Sequence, residues 1–389
     1  MKDIKKEIIE RNTSKEDYGQ VLGIEVKYRR IQLSMTLATT ASKICSISYL
    51  SKIENNAIDA SPLYLREICQ QVDLDDNQID LLMNLRKIIE ECIAAYLNKD
   101  AAFLNDSFCN GKGFENFRYK IIEFIYYLYN EDIYNANLTY KNLIRVSSTM
   151  SDFDFYVFSL FSGILCYYNQ FYTDCFETLK LLTNLKINTE FDILKDKFIF
   201  LSLSFINSCD TSFAYKIIKE RLLNNGKYTM LEEINYIYSL YLLNNNSFYE
   251  YYEIVKQITN PKYKESVRLY CDFANNNMNL SSYNQENLTT FTKLLLLTRT
   301  NKALAKNEIE SIEPIYEYDM NLILLKYLLL ENDNDKLRFI TDIALPNTQR
   351  NNTKFNSNFF LYELANVASR SFKYKLFTTY FLKINNQNN

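Results

Sequence analysis

The chain has 389 residues, 47% of them hydrophobic, which is enough apolar content for two or three folded domains and excludes a disordered polymer. It has no histidine, which removes Ser/His and Cys/His catalytic pairs, the usual imidazole base and every His-containing zinc site. A formal net charge of −3 argues against nucleic-acid binding along the whole length, so any such role has to be local.

The sequence shows no glycine-rich phosphate loop, no G-x-S-x-G and no paired carboxylates in a catalytic context, so neither an enzyme nor a cofactor is expected. Six glycines and four prolines leave few sites for tight turns, which favours helices joined by short Asn- and Asp-rich connections. The eight cysteines are scattered without a C-x-x-C pair and read as reduced core residues. The charged amino terminus lacks the apolar stretch of a signal peptide, and no run approaches the roughly 20 residues of a membrane span, so a cytoplasmic protein is expected.

Residues 1–20 form an extension in which Ile4, Ile8 and Ile9 cluster among Lys and Glu; it reads as a packing helix, an arm on DNA or a frayed end, and packing is favoured. A helix follows with Leu22, Val26, Arg30 and Leu33 on one stripe. Thr36 is placed to cap a second helix, Leu37 to Lys43, and Ser46 to cap a third, Ile47 to Glu54. In the third, Ser46, Ser48, Tyr49 and Lys52 form the polar face while Ile47, Leu50 and Ile53 point inward. Asn55 and Asn56 end it, because asparagine tolerates the left-handed conformation. Ser61 and Pro62 open a fourth helix with Leu65, Ile68 and Val72 toward the core.

The stretches Gly23 to Arg30, Met35-Thr36, Ile44 to Asn55 and Ser61-Pro62 together resemble the Cro/repressor-like, or XRE-type, helix-turn-helix domain. That resemblance implies a DNA-binding head at residues 21–73. It places an ion pair on Arg30 and Glu54, the groove-facing positions on Ser46, Ser48, Tyr49 and Lys52, and phosphate contacts near Lys27, Lys43 and Asn55. Leu37 and Thr40 depart from the pattern, which usually has Gln or Ser after the capping Thr and a core Leu before the Ala. The head's modest charge implies weak, salt-sensitive binding by one copy, so a homodimer on a two-half-site operator is expected.

Linking helices are expected over 74–115. From 116 to 389 an apolar helix, a short polar turn and a second helix recur, centred on Ala136, Cys175, Ala214 and Tyr251, with an echo at Leu337. The period of roughly 37 to 39 residues is slightly above that of tetratricopeptide repeats, which these units resemble. The predicted fold is all-α: a helix-turn-helix domain followed by a helical repeat superhelix.

Such stacks present an extended concave surface suited to a peptide. Asn135, Asn137, Tyr168, Asn169, Asn207 and Tyr238 are candidate contacts, each equally placed for turns or packing. Head and repeats together are similar to the peptide-sensing Rgg, PlcR and PrgX regulators of Gram-positive bacteria. The resemblance implies a cytoplasmic homodimer that binds an imported signalling peptide and operator DNA. The alternative is a repeat protein that sequesters another regulator and carries a vestigial head.

Overall fold

The computed structural model describes residues 2–13, 21–55, 58, 62–74, 76–111, 117–182, 189–206, 208–245, 247–275, 279–312, 320–350, 354–375 and 377–379. Asn56, Ser61 and Asn207 lie outside them. The described residues contain helices and turns and no strand. Among them no helix is long and apolar enough to cross a membrane. The chain divides into two compact units, Met1–Asn169 with Asp174–Lys195 and Gln170–Thr173 with Asp196–Asn389.

The first unit opens with α1 (Lys2–Thr13), followed by α2 (Val21–Gln32), α3 (Leu37–Ala41), α4 (Ile47–Glu54) and α5 (Pro62–Gln71). Helix α4 packs on α2 and α3, and α5 packs on the same pair. Val26, Ala41, Leu50, Ile53, Ile68, Cys69 and Val72 form the small core they share.

The caps decide these boundaries. The Thr36 hydroxyl accepts from the Thr39 amide at 3.1 Å, and the Thr39 hydroxyl accepts from the Thr36 amide at 2.9 Å, so two orphan donors are satisfied reciprocally. Ser46 accepts from the Tyr49 amide at 3.1 Å and starts α4 where the sequence placed it. Helix α3 ends at Ala41, two residues short of the expected Lys43, because Lys43 turns left-handed at φ 66°. Thr40 is fully buried, and its hydroxyl donates to the Thr36 carbonyl at 3.1 Å, which lets a polar residue stand in the core without an unsatisfied group. Asn55 ends α4 at φ −100°, not in the expected left-handed conformation.

Helix α1 packs as expected, and it reaches partners in and beside the hairpins. Ile4 and Ile8 are buried, whereas Ile9 is exposed. Lys5 Nζ donates to Asp174 at 2.5 Å and Glu177 at 2.7 Å, and Ser147 Oγ donates to Glu7 at 2.6 Å. Burying the two isoleucines contributes about 1.5–3 kcal/mol each at most.

Two connecting helices, α6 (Asp76–Asn98) and α7 (Ala101–Gly111), lead to the hairpins α8 (Phe117–Tyr129) with α9 (Ile133–Leu143) and α10 (Asp152–Tyr168) with α11 (Tyr172–Leu181). Then come α12 (Thr189–Phe205) with α13 (Thr211–Asn224), and α14 (Tyr228–Asn244) with α15 (Phe248–Val255). The phrase centres Ala136, Cys175, Ala214 and Tyr251 fall on the second helix of each hairpin and are all buried. A side chain at Gly163 of α10 would meet Leu179 of α11 at 2.5 Å, so only glycine permits that close approach.

Asparagine follows the last residue of several helices in a shared geometry. The side-chain amides of Asn130, Asn169, Asn225, Asn245 and Asn275 each donate to the carbonyl four residues earlier, at 2.8 to 3.0 Å. Each of those carbonyls also accepts the backbone N–H of the same asparagine, so the side chain adds a second bond to a carbonyl of the last turn.

Beyond Asn260 the regular period breaks. Helix α16 (Pro261–Ala274) is followed by two short 3-10 turns, then α17 (Thr290–Thr300), α18 (Lys302–Ile312), α19 (Met320–Leu329), α20 (Asp333–Phe339), α21 (Leu345–Arg350) and α22 (Lys354–Arg370). A π-turn over Ile340–Ala344 joins α20 to α21 just before Pro346, whose missing N–H and ring oppose a regular α-turn there. The aromatic residues interleave the hairpins, as with Phe124 on Phe158 (6.2 Å) and Tyr215 stacked on Tyr238 (3.8 Å). Cys69, Cys92, Cys166 and Cys175 are buried free thiols, but Cys109 and Cys209 are exposed, against the expectation that all eight sit in cores.

Candidate nucleic-acid interface

Helix α4 carries the candidate site, and at about 100° per residue its two faces can be laid out. Leu50, Ile53 and Glu54 form the buried arc. Ile47, Ser48 and Lys52 are exposed and Ser51 half-buried, together spanning a contiguous arc of about 140° on the other side. Tyr49 lies beyond that arc, half-buried, with its ring edge-on to Tyr64 of α5 at 5.9 Å.

The sequence expected Ile47 to face inward and Leu33 to share one helical stripe with Val26 and Arg30, and both are corrected. Ile47 is 53% exposed. It stands at the first helical position, at the edge of the buried arc, outside the contact that α2 and α3 make with Leu50 and Ile53. Leu33 falls one residue past the end of α2, where Ser34 turns left-handed at φ 54°, and it is exposed.

Behind α4, Arg30 grips Glu54 with both prongs, Nε at 2.6 Å to Oε1 and Nη2 at 2.8 Å to Oε2. Glu54 is only 3% exposed. The third nitrogen of Arg30, Nη1, donates to the Met35 carbonyl at 3.0 Å, so one guanidinium ties the end of α4 to the turn before α3. Hydrogen bonding to Glu54 holds the Arg30 pKa above its ordinary value, against partial burial that would lower it. Arg30's own titration therefore contributes fully below that ordinary value, and its contribution is lost as pH rises through the raised one. With Glu54 neutralised in this way, Lys27, Lys43 and Lys52 give the surface a positive balance.

Lys27 Nζ donates to Asn55 Oδ1 at 2.9 Å, which brings two of the three candidate phosphate contacts together at the end of α4. Lys43 is exposed on the turn that separates α3 from α4. The Ser46 oxygen accepts the capping bond from the Tyr49 amide, and its hydroxyl proton stays available to a ligand. Leu37 is half-buried. The sequence reading missed the Met35 carbonyl, Tyr64 and the outward Ile47, and only the position of Ile47 beside the capping Ser46 could have signalled its exposure.

The candidate peptide contacts are dispersed. Asn137 and Asn169 meet, their amides bonding reciprocally at 3.3 and 3.4 Å, while each also donates to its own helix. The Tyr168 hydroxyl pairs with that of Tyr96 at 3.3 Å, and burial, then Tyr168, keeps the Tyr96 pKa well above its ordinary value. Asn135 is taken up by the Asp132 cap at 2.6 Å. In the second unit Tyr238 is 5% exposed, stacked on Tyr215, with its hydroxyl on Ser212 Oγ at 3.0 Å. That unit also holds an open cavity of about 470 Å³ between α15 and α16, lined by Tyr251, Tyr252, Val255, Lys264, Arg268 and Cys271 and touched by none of the sequence candidates.

Fold and site define an all-helical protein in which a short-helix head with a polar, cation-flanked third helix precedes a run of helical hairpins. Among solved structures this fold is that of the apo form of the quorum sensor NprR from B. thuringiensis, which aligns at a TM-score of 0.50 and 13% identity over 79% of this chain and 100% of that chain. Bacillus thuringiensis PlcR in complex with the peptide PapR7 and DNA aligns at a TM-score of 0.38 and 15% identity, over 67% of this chain and 100% of that chain. In sequence, the chain is 30% identical over 148 residues to the transcriptional activator NprA of Geobacillus stearothermophilus, covering 36% of each protein. The chain thus spans about a third of the length of that curated relative. No family model matches it.

Proposed function

We propose that the protein is a sequence-specific DNA-binding regulator of transcription, with its head at residues 21–73, linking helices at 74–115 and a peptide-sensing repeat region at 116–389. The observation that carries this reading is the exposed arc of α4, backed by the Arg30–Glu54 clamp and flanked by Lys27, Lys43 and Lys52. An α-helix fits the major groove, and a helix that enters it must keep one face for the bases and one for its own core.

Ser48, Lys52 and the hydroxyl proton of Ser46 supply donors toward base edges, with Tyr49 at the margin of the arc. Lys27, Lys43 and Asn55 supply phosphate contacts that fix the register. Similarity to a transcriptional activator over 148 residues, and to the fold of a quorum sensor, supports a regulator whose repeats receive a short peptide. Among the six sequence candidates we favour Asn137 and Asn169, which hydrogen-bond to each other, and the adjacent Tyr168 as peptide contacts. The protein acts in the cytoplasm as a homodimer, and peptide binding shifts the population of DNA-competent dimers through different affinity for the two states.

Genomic footprinting with wild type and a Tyr49→Ala/Lys52→Ala variant tests the head. The variant is expected to lose occupancy by tenfold or more, on the order of what one or two base or phosphate contacts contribute. Unchanged occupancy overturns the reading.

A further inference from the structure

We infer that Ile47 is a specificity-determining residue that packs on the C5-methyl group of a thymine in the major groove. The inference rests on the proposed DNA-binding role of α4 and adds a chemical identity for one base that it reads.

The exposed arc of α4 is polar except at this position. A single exposed isoleucine on a protein surface needs no explanation, but this one stands at the first helical position of the helix proposed to read DNA. The amino-terminal end of such a helix is the part that reaches base edges. Its neighbours Ser46 and Ser48 are small, so nothing on either side hides the branched side chain. Leu50 and Ile53 already supply the inward contacts of α4, and Ile47 is not needed for them.

Among the four base pairs, the apolar group presented in the major groove is the thymine methyl. Ser48 can pair with more than one base and Lys52 favours guanine acceptors, so neither distinguishes thymine from cytosine by its methyl. Isoleucine is also stiff about χ1, so little side-chain freedom is lost when it docks. The face then reads as a short code, with an apolar contact to thymine from Ile47 and hydrogen bonds from Ser48 and Lys52 to adjoining bases.

The test begins with selection of binding sites from random duplex DNA by the full chain. Each thymine of the selected site is then replaced singly by deoxyuridine, which removes only the methyl group. For wild type, one thymine is expected to show a loss of about fourfold in affinity, the value of one buried methyl-sized group. Ile47→Ala is expected to bind the thymine and deoxyuridine duplexes equally, whereas Lys52→Ala keeps the wild-type difference. Because Ile47 is exposed, the alanine variant is expected to keep the wild-type melting curve, which separates lost recognition from lost folding. The inference is overturned if wild type tolerates deoxyuridine at every position, or if Ile47→Ala shows the same penalty as wild type. It is also overturned if Ile47→Ala changes self-association and not base preference, which would make this face a protein contact. Failure of wild type to enrich any sequence would instead remove the DNA-binding reading beneath it.

Discussion

Asp154→Ala is expected to lower the melting temperature of the first unit by roughly 6–20 °C, the equivalent of about 3–5 kcal/mol for a buried ion pair broken from one side. Asp154 and Arg118 are both about 1% exposed, and they join α10 to α8. One carboxylate oxygen, Oδ2, accepts from Arg118 Nε at 3.1 Å, from Arg118 Nη2 at 2.8 Å and from Ser151 Oγ at 2.7 Å. The other oxygen, Oδ1, is buried without a hydrogen bond. Desolvation of both charges is therefore incompletely offset, and the pair adds little net stability although losing one member is costly. The double variant Arg118→Met/Asp154→Leu is accordingly expected to melt within a few degrees of wild type. Thermal unfolding followed by circular dichroism separates the two cases, and a single variant that melts like wild type would show that the pair is hydrated in solution.

Glu54→Ala is expected to destabilise the head by about 2–3 kcal/mol, because it leaves Arg30 partly buried without the carboxylate that holds two of its nitrogens. The effect should be local. Hydrogen exchange is expected to rise across α2 to α5 while amides of α13 to α15 keep their protection, since the head core is small and belongs to the other compact unit. Arg30→Lys, made separately, is expected to lose at least half as much stability as Glu54→Ala, because an ammonium cannot reproduce the fork that spans Glu54 and the Met35 carbonyl. Uniform exchange across the chain, or a lysine variant as stable as wild type, would contradict the clamp.

These two ion pairs also show what the sequence could and could not convey. Arg30 and Glu54 lie 24 residues apart but inside one recognisable motif, so the resemblance placed them together before any coordinates did. Arg118 and Asp154 lie 36 residues apart on successive first helices of a degenerate repeat, and nothing in their spacing marks a charge pair inside a core. Capping residues proved the most legible signals, since Thr36 and Ser46 act locally through their hydroxyls on the next turn, and α3, α4 and α5 begin where Thr36, Ser46 and Pro62 placed them.

Helix ends were less legible. Lys43 and Ser34 adopt the left-handed conformation without being glycine or asparagine, so α3 is shorter and Leu33 more exposed than their apolar periodicity suggests. Long-range docking was invisible: the isoleucines of α1 announced packing but not that Lys5 would reach Asp174 and Glu177. The repeats were legible wherever a small or aromatic residue marks the second helix, from Ala136 to Tyr251. They were lost after Asn260, where the 3-10 turns and the π-turn before Pro346 change the spacing on which a period depends.

The measurement that tests the account most directly is equilibrium binding of the full chain to its selected DNA site and to a shuffled duplex of the same length, at one fixed near-physiological salt concentration. A groove-reading α4 predicts a specific-to-nonspecific ratio on the order of 10³ or more, falling toward one in the Tyr49→Ala/Lys52→Ala variant. A wild-type ratio near one would contradict it and leave the head as a structural module of a helical repeat protein.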